Sequence, residues 1–345
     1  MNTPIFDPDG VGVDNGNYFG MPFSPAESAL VLVSVPWDVT SSYGTGSSYA
    51  PDAIIEASTQ LDFYDPVSPD AWRRGIATIP VDYTIQEMSH RLRADAERVI
   101  EHLEQGGDAS SESVLRRLRR INEGSVRMNE SVYGQCRRWL AAGKITGLVG
   151  GEHSTSYGAV RAVAGHVESF GILHLDAHRD LRRCYEGFEY SHASVMYNIL
   201  RDIPQVSRLV QVGIRDWCYA EQALADADPR ICSFGGDMLS RSLFEGRTWQ
   251  SLCDEIVGCL PHDVYISMDI DALTIENCPH TGTPVVGGLT FDQTVYLMNR
   301  VAESGRRIAG FDVVEVVPDM NDRIDAVAGA RMLYKMCGIA LKSNE

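Results

Sequence analysis

Seven short apolar runs, at 29–35, 145–149, 170–175, 209–214, 230–234, 264–268 and 308–314, constrain how this 345-residue chain can fold. Each has the length of a strand and is rich in Val, Ile, Leu or Phe, and most are continuous rather than alternating. A continuous run fits a strand whose two faces are both covered. Stretches of ten or more residues with helical character separate most of them, so the expected fold is a three-layer α/β/α sandwich around a mostly parallel sheet of about eight strands. Residues 1–28, rich in Gly, Pro, Asp and Asn, are expected to form a surface arm over a single catalytic domain spanning 29–345. A helical insertion is expected at about 86–142, as two charged helices (90–105 and 112–142) broken at Gly106-Gly107-Asp108-Ala109-Ser110. The run Arg116-Arg117-Leu118-Arg119-Arg120 reads as a solvated helix face rather than a basic patch.

Charge narrows the partners. The chain carries 47 acidic against 30 basic residues, a formal net charge of −17, and only Lys144, Lys335 and Lys342 are lysines. Such a surface does not attract nucleic acid or an anionic membrane, and a small cationic ligand suits it better. The eight Cys are scattered without a CxxC pair, which suggests neither a disulfide framework nor a zinc ribbon. With no apolar run near the length of a membrane span and no signal-like start, a reducing, cytoplasmic setting is expected.

Open parallel sheets build their sites beyond the carboxyl ends of strands, and four clusters fall there. Gly150-Gly151-Glu152-His153-Ser154 follows the run 145–149, and Asp176-Ala177-His178-Arg179-Asp180 follows 170–175. Asp269-Ile270-Asp271 follows 264–268, with both carboxylates pointing the same way if the strand continues, and Glu315 follows 308–314. So many carboxylates at one sheet edge would repel one another if left bare, and a multivalent cation resolves the conflict. Mixed carboxylate and imidazole ligands without thiolate indicate a hard or borderline divalent ion rather than structural Zn²⁺. The ligands suffice for two ions sharing Asp176 and Asp269.

These clusters, together with Thr281-Gly282-Thr283-Pro284-Val285-Val286-Gly287-Gly288, resemble the ureohydrolase family of arginases, agmatinases and formimidoylglutamases. The resemblance runs from about Ala29 to Leu341 in family order and spacing, and implies the arginase fold. It implies one ion held by His153, Asp176, Asp180 and Asp269, and a second held by Asp176, His178, Asp269 and Asp271. Mn²⁺ is the expected metal, with Ni²⁺ the alternative. His192, in Tyr190-Ser191-His192-Ala193-Ser194, matches the family's proton-shuttle histidine, and Glu315 matches the carboxylate that receives the guanidinium. The implied reaction is hydrolysis of a guanidino C–N bond to urea and an amine, with Asp180 taking a proton from the nucleophile and His192, titrating near neutrality, protonating the leaving amine. The resemblance also implies a homo-trimer or homo-hexamer, with a hetero-oligomer as an alternative.

Departures bear on the substrate. Glu152 stands where the family usually has Asp, a change expected to alter support rather than ligation. The loop from Leu181 to Ser191 lacks the Asn and Ser/Thr pattern with which arginases hold an amino-acid head, so agmatine or another small guanidine (free guanidine, a guanidino acid, an alkylguanidine or a biguanide) is expected before arginine. Glu186 and Glu189 would favour a second cationic group, whereas Arg182 or Arg183 would suit a carboxylate, as in guanidinobutyrate or formiminoglutamate. Tyr185, Trp217 and His280 are further expected substrate contacts, and His174 reads as support for a ligand rather than a ligand itself. The rival readings are a formimidoylglutamase or arginase, a mononuclear zinc deacetylase of related fold, and a non-catalytic subunit of a hetero-oligomer.

Overall fold

Strands form from the continuous runs because helices cover both faces of the sheet. The computed structural model describes residues 6–345 and places eight strands in one sheet: β1 Leu30–Ser34, β2 Ile76–Thr78, β3 Ile145–Val149, β4 Phe170–Leu175, β5 Val206–Val212, β6 Ile231–Phe234, β7 Asp263–Asp269 and β8 Arg307–Val314. Their order is β2-β1-β3-β8-β7-β4-β5-β6, and every neighbouring pair is parallel, so the sheet is wholly rather than mostly parallel. Three-residue β2 left no periodic signal in the sequence. β5 begins earlier than expected and stops at Val212, because Gly213, at φ 96°, turns the chain out of the sheet.

Ten helices follow in chain order: α1 Ala50–Ser58, α2 Tyr83–Glu104, α3 Glu112–Ala141, α4 Ser156–Ala164, α5 Val195–Asp202, α6 Tyr219–Ala227, α7 Gly236–Phe244, α8 Trp249–Gly258, α9 Phe291–Glu303 and α10 Ile324–Lys342. Side chains alternate between two cores. Leu30, Leu32, Leu173, Leu175, Ile266 and Met268 join Ile54 of α1, Leu297 of α9 and Leu333 of α10 in one core. Val33, Leu148, Ile172 and Tyr265 join Ile121 and Met128 of α3, Val160 of α4 and Ile199 of α5 in the other. Both faces are thus apolar, which is why the runs do not alternate.

The segment 86–142 contains most of α2 and all of α3. α2 starts at Tyr83, earlier than the sequence suggested, because the Asp82 side chain caps the Thr84 N–H at 3.0 Å. α3 buries Val114, Ile121, Ser125, Met128, Val132 and Cys136, a helical spacing that gives a charged helix one apolar stripe. From the basic run, Arg120 binds Asp95 of α2 at 2.8 Å, and Arg117 lies 3.6 Å from the same carboxylate. The N-terminal segment is more than a covering arm, for Tyr18, Phe19 and Met21 are buried in the first core. The Tyr18 hydroxyl meets Ser34 Oγ at 2.8 Å and the Phe19 N–H donates to Ser58 Oγ at 2.7 Å. Residues 1–5 of that segment lie outside the described residues. Among the described residues no helix is long and apolar enough to cross a membrane.

One consequence of the topology governs the site. Parallel strands end at the same edge, and the order puts β3, β8, β7 and β4, the four strands that carry the polar clusters, side by side.

Candidate metal centre and adjoining cavity

Backbone geometry delivers each side chain. At Gly151 a Cβ would fall 1.9 Å from the Trp37 carbonyl oxygen, so only glycine lets the chain after β3 cross the chain after β1. His153 follows, and its N–H donates to Glu315 Oε1 at 2.7 Å. Asp180 and Glu315 take left-handed backbone conformations, with φ 53° and 62°. Strain of this kind costs about 1–3 kcal/mol and persists only where the surroundings fix it. Here the Met196 and Tyr197 N–H groups bind the Asp180 carbonyl, and the Thr281 hydroxyl binds that of Glu315. β7 ends at Asp269, so the condition under which both carboxylates would point the same way is not met. Asp269 Oδ1 accepts the Asp271 N–H at 2.9 Å and curls the chain into a 3₁₀ turn, Ile270–Ala272, which carries Asp271 round to accept the Ala177 N–H at 2.9 Å.

His153 Nδ1 lies 3.1 Å from Asp176 Oδ2, 3.1 Å from Asp180 Oδ2 and 3.2 Å from Asp269 Oδ2. His178 Nδ1 lies 3.0 Å from Asp271 Oδ2 and 3.5 Å from Asp176 Oδ1. All but His178 are buried. Burial and the charges of Asp271 and Asp176 hold Asp269 far above the usual carboxylate range, and burial with Asp176 lifts Asp180 to about 6. Burial works against charge on His178 too, but Asp271 and Asp176 outweigh it and raise the imidazole to about 12. Protons thus balance the anions in the bare protein, which is the role a bound cation would take over.

The donor set fits divalent ions. His153 Nδ1 and Asp271 Oδ2 are buried without a hydrogen-bond partner. The Ser267 hydroxyl donates to Asp312 at 3.0 Å and so accepts from His153 Nε2 at 2.9 Å, which leaves Nδ1 to the three carboxylates; burial works against charge on the ring, but Asp176, Asp180 and Asp269 hold it well above its ordinary range, and a bound cation would take the place of that Nδ1 proton. His174 lies close enough to join a ligand group with His153, Asp176 and Asp180. Both its nitrogens are occupied, however: Nε2 faces Asp176 Oδ2 at 2.7 Å and Nδ1 faces Gln211 Nε2 at 3.1 Å. Arg179 Nη1 donates to Gln211 Oε1 at 3.1 Å, which makes the Gln211 amide the donor and leaves His174 to donate to Asp176. His174 therefore orients a ligand.

Asp312, Ser267, His174, Gln211 and Ser233 stand opposite one another in register across β8, β7, β4, β5 and β6. This polar row, buried from Asp312 to Gln211 and exposed at Ser233, lies two residues below Asp176 and Asp269 on the same sheet face. Each of its members was separately visible in the chain, but only strand register joins them.

A cavity of about 460 Å³ opens beside the cluster, lined by residues that include Tyr43, His178, Asp180, Tyr185, His192 and Trp217. Residues 28–338 match the Arginase family. N(1)-aminopropylagmatine ureohydrolase of Thermus thermophilus is 32% identical over 328 residues, covering 93% of this chain and 94% of that protein. The agmatinase of Cronobacter sakazakii is 29% identical, covering 94% of this chain and 92% of that protein. The chain belongs to the arginase family. Its fold is shared by the agmatine ureohydrolase of Thermoplasma volcanium (TM-score 0.69, 23% identity, 93% of this chain and 92% of that one) and by the proclavaminate amidino hydrolase of Streptomyces clavuligerus (TM-score 0.73, 20% identity, 97% and 100%). As a member, it is a hydrolase of carbon–nitrogen bonds.

Within this arginase-family site, not every expected residue faces the cavity. Glu315 sits behind Gly282, where a Cβ would come 3.4 Å from Oε2. Glu186, at φ 55°, and Glu189 are absent from the cavity wall, and the Glu186 carboxyl is half-buried and raised to about 7 by burial and by Glu104. His280 is also off the wall, its Nδ1 held by Asp325 Oδ2 at 2.7 Å. Arg182 does line the cavity, lying over the Tyr185 ring at 4.6 Å, and Arg179 lies over Trp217 at 4.9 Å. His192 is not the near-neutral imidazole expected from its ordinary pKa, since burial and the neighbouring His178 charge depress it to about 3.

Asp216 and Thr40 were missed as site residues. Asp216 lines the cavity, exposed and without an ion pair among the described residues. Both follow strands, β5 and β1, so the rule that singled out the four clusters would have found them had it been applied to every strand end.

Proposed function

We propose that this chain hydrolyses the guanidino C–N bond of a small guanidinium compound lacking an amino-acid head, agmatine first, to urea and an amine. Supporting this are five buried side chains, His153, Asp176, Asp180, Asp269 and Asp271, gathered at one sheet edge with His153 Nδ1 and Asp271 Oδ2 in no aligned hydrogen bond. His153, Asp176, Asp180 and Asp269 would hold one divalent ion, and Asp176, His178, Asp269 and Asp271 the second, with Mn²⁺ preferred over Ni²⁺. Bound there, the pair supplies the Lewis acidity that makes water nucleophilic at neutral pH.

The remaining tasks belong to the chain. Glu315, with Oε1 fixed by the His153 N–H and Oε2 behind Gly282, would orient a planar guanidinium seated beyond that glycine, whose charge would displace the proton that burial and Glu152 favour on the carboxyl. Asp180 has Oδ2 directed at His153, which leaves Oδ1 to take the proton of the attacking water. His192, neutral at rest, accepts that proton at Nε2 and returns it to the leaving nitrogen, so no net proton is lost. Asp216 offers a free carboxylate to a cationic tail, in place of Glu186 and Glu189. Arg182 is engaged by Tyr185 and lies 3.9 Å from Glu221, which weakens the case for a carboxylate-tailed substrate. The relatives named for agmatine and aminopropylagmatine carry cationic tails of this kind. A homo-trimer or homo-hexamer is the assembly we propose, to be read by light scattering.

The test is urea release from agmatine, aminopropylagmatine, arginine, guanidinobutyrate, free guanidine, alkylguanidines and biguanides after loading with Mn²⁺ or Ni²⁺, with metal counted per chain. Agmatine or a close cationic analogue should exceed arginine and guanidinobutyrate by at least about tenfold in kcat/KM, as loss of one charge-assisted contact predicts. Formamide from formiminoglutamate, a single metal per chain, or no urea from any guanidine would each overturn the reading.

A further inference from the structure

The polar residues that follow β1 and β3 meet behind His192. Glu152 is fully buried, which raises its carboxyl to about 7, and the donors that converge on it, four in all, favour its ionised form. Oε2 accepts the Thr40 N–H at 2.7 Å and the Ser41 hydroxyl at 3.4 Å, while Oε1 accepts the Thr40 hydroxyl at 2.8 Å and the Ser154 hydroxyl at 2.6 Å. Thr40 therefore grips both oxygens, with its amide on one and its hydroxyl on the other. A hydroxyl has one proton and two lone pairs. With the proton given to Glu152, Thr40 Oγ1 can only accept from elsewhere, and the two groups it meets are the His192 N–H at 3.0 Å and His192 Nδ1 at 3.4 Å.

We infer that Glu152 and Thr40 are positioning residues that fix the tautomer of His192, with the proton on Nδ1 and the lone pair on Nε2. Nε2 is the nitrogen on the side of Ser42 Oγ, 3.5 Å away, and Ser42 lines the cavity. The opposite tautomer would set a proton on Nε2 and a lone pair on Nδ1 against an oxygen with no proton left to give. The longer side chain of glutamate is what reaches from the turn after β3 to Thr40. From α2, Ser89 bonds Asp38 at 3.1 Å and Arg93 binds the Val39 carbonyl at 3.1 Å, so the loop that carries Thr40 is itself held at both sides.

The assignment deepens the proposed hydrolysis, since an Nε2 lone pair is what a neutral proton shuttle needs. It is tested on the full chain, with ¹⁵N-histidine labelling and long-range ¹H–¹⁵N correlation in the presence of diamagnetic Mg²⁺, the His192 signals being identified by their loss in His192→Asn. The wild type should show a protonated Nδ1 and an unprotonated Nε2, and Thr40→Val should lose that preference. An Nε2-protonated ring in the wild type overturns the inference, whether or not any guanidine is hydrolysed, so its failure is separable from that of the proposed reaction. In kinetics, Thr40→Val should lower kcat by at least about tenfold with KM within about twofold and metal content unchanged, because a wrongly protonated imidazole cannot begin the transfer. Thr40→Ser, which keeps the hydroxyl, should restore kcat to within about twofold of the wild type. Equal loss in the Ser and Val variants, or a fall in metal content that tracks the fall in rate, would assign Thr40 a structural role and overturn the inference.

Discussion

Two places in this molecule bring imidazole and carboxylate together, and they differ in what is left over. His280 meets Asp325 alone, nitrogen to oxygen at 2.7 Å, and the Asp325 carboxylate also accepts the His280 N–H at 3.1 Å. Each group has the partner it needs. At the ends of the four central strands, His153 Nδ1 has three carboxylates within 3.2 Å and is aligned with none, while Asp271 Oδ2 is buried 3.0 Å from His178 Nδ1 without an aligned hydrogen bond. Proximity of His to Asp is thus common to a structural pair and to a candidate metal centre. What separates them is a surplus of buried carboxylates over imidazoles, four against two, with Asp269 and Asp180 driven up by burial and by their neighbours' charge.

The sharpest way to break the contrast is to remove one side chain from each place. Asp176→Ala should lower urea release by at least about 10³-fold and reduce bound metal below one ion per chain, since Asp176 belongs to both ligand groups. His280→Ala should leave metal content unchanged and kcat/KM within about threefold, and a loss comparable to that of Asp176→Ala would erase the distinction. Glu315→Gln separates ligation from substrate orientation inside the cluster. It should retain two ions per chain and lose about 10²-fold in kcat/KM, the scale of one buried charge-assisted hydrogen bond. Metal loss in that variant would make Glu315 a support for His153 and nothing more.

A smaller effect sharpens the boundary of the site. Glu186 is raised to about 7 by burial and by Glu104 although it lies off the cavity wall. Between the unfolded value near 4.5 and about 7 the folded chain binds more protons than the unfolded one, so stability falls as pH rises through that window. Glu186→Gln should therefore raise Tm by about 1–2 °C at pH 8 and leave it unchanged at pH 4.5, a small shift because the group is only half-buried and solvent screens it. Thermal scans at the two pH values, with urea release measured alongside, decide it. A large loss of activity would return Glu186 to the substrate pocket.

Much of the site was legible because the chemistry is local. His153, Asp176, His178, Asp180, Asp269, Asp271 and Glu315 each sit just beyond a run whose apolar content marked a strand, and the exit of a strand is a position that a one-dimensional reading can find. His280 and Glu186 lie off the cavity wall for the opposite reason. Both are neighbours in sequence to turns near the cavity, but a turn reverses direction within a residue or two, so sequence distance says nothing about which way a side chain points. Glu186 takes a left-handed conformation in its turn, and the His280 ring is drawn to Asp325 at the start of α10. The near-neutral His192 expected from its ordinary pKa failed because burial and the charge of His178 come from elements distant in the chain.

The sequence by itself determined the residue types and their places at strand ends, because apolar continuity and glycine turns act over a few residues. Tertiary structure decided which strands are neighbours. In chain order the four site strands are β3, β4, β7 and β8, yet in the sheet they stand as β3-β8-β7-β4. Crossover connections leave that lateral order open, because a helix can return its chain beside any strand whose edge is free. Register decided the rest. It aligned Asp312, Ser267, His174 and Gln211 into one buried row beneath the carboxylates, and loop packing brought Thr40 to Glu152 and His192. Hydrogen bonds of this kind depend on tenths of an ångström between residues more than a hundred positions apart, a precision that no local pattern encodes.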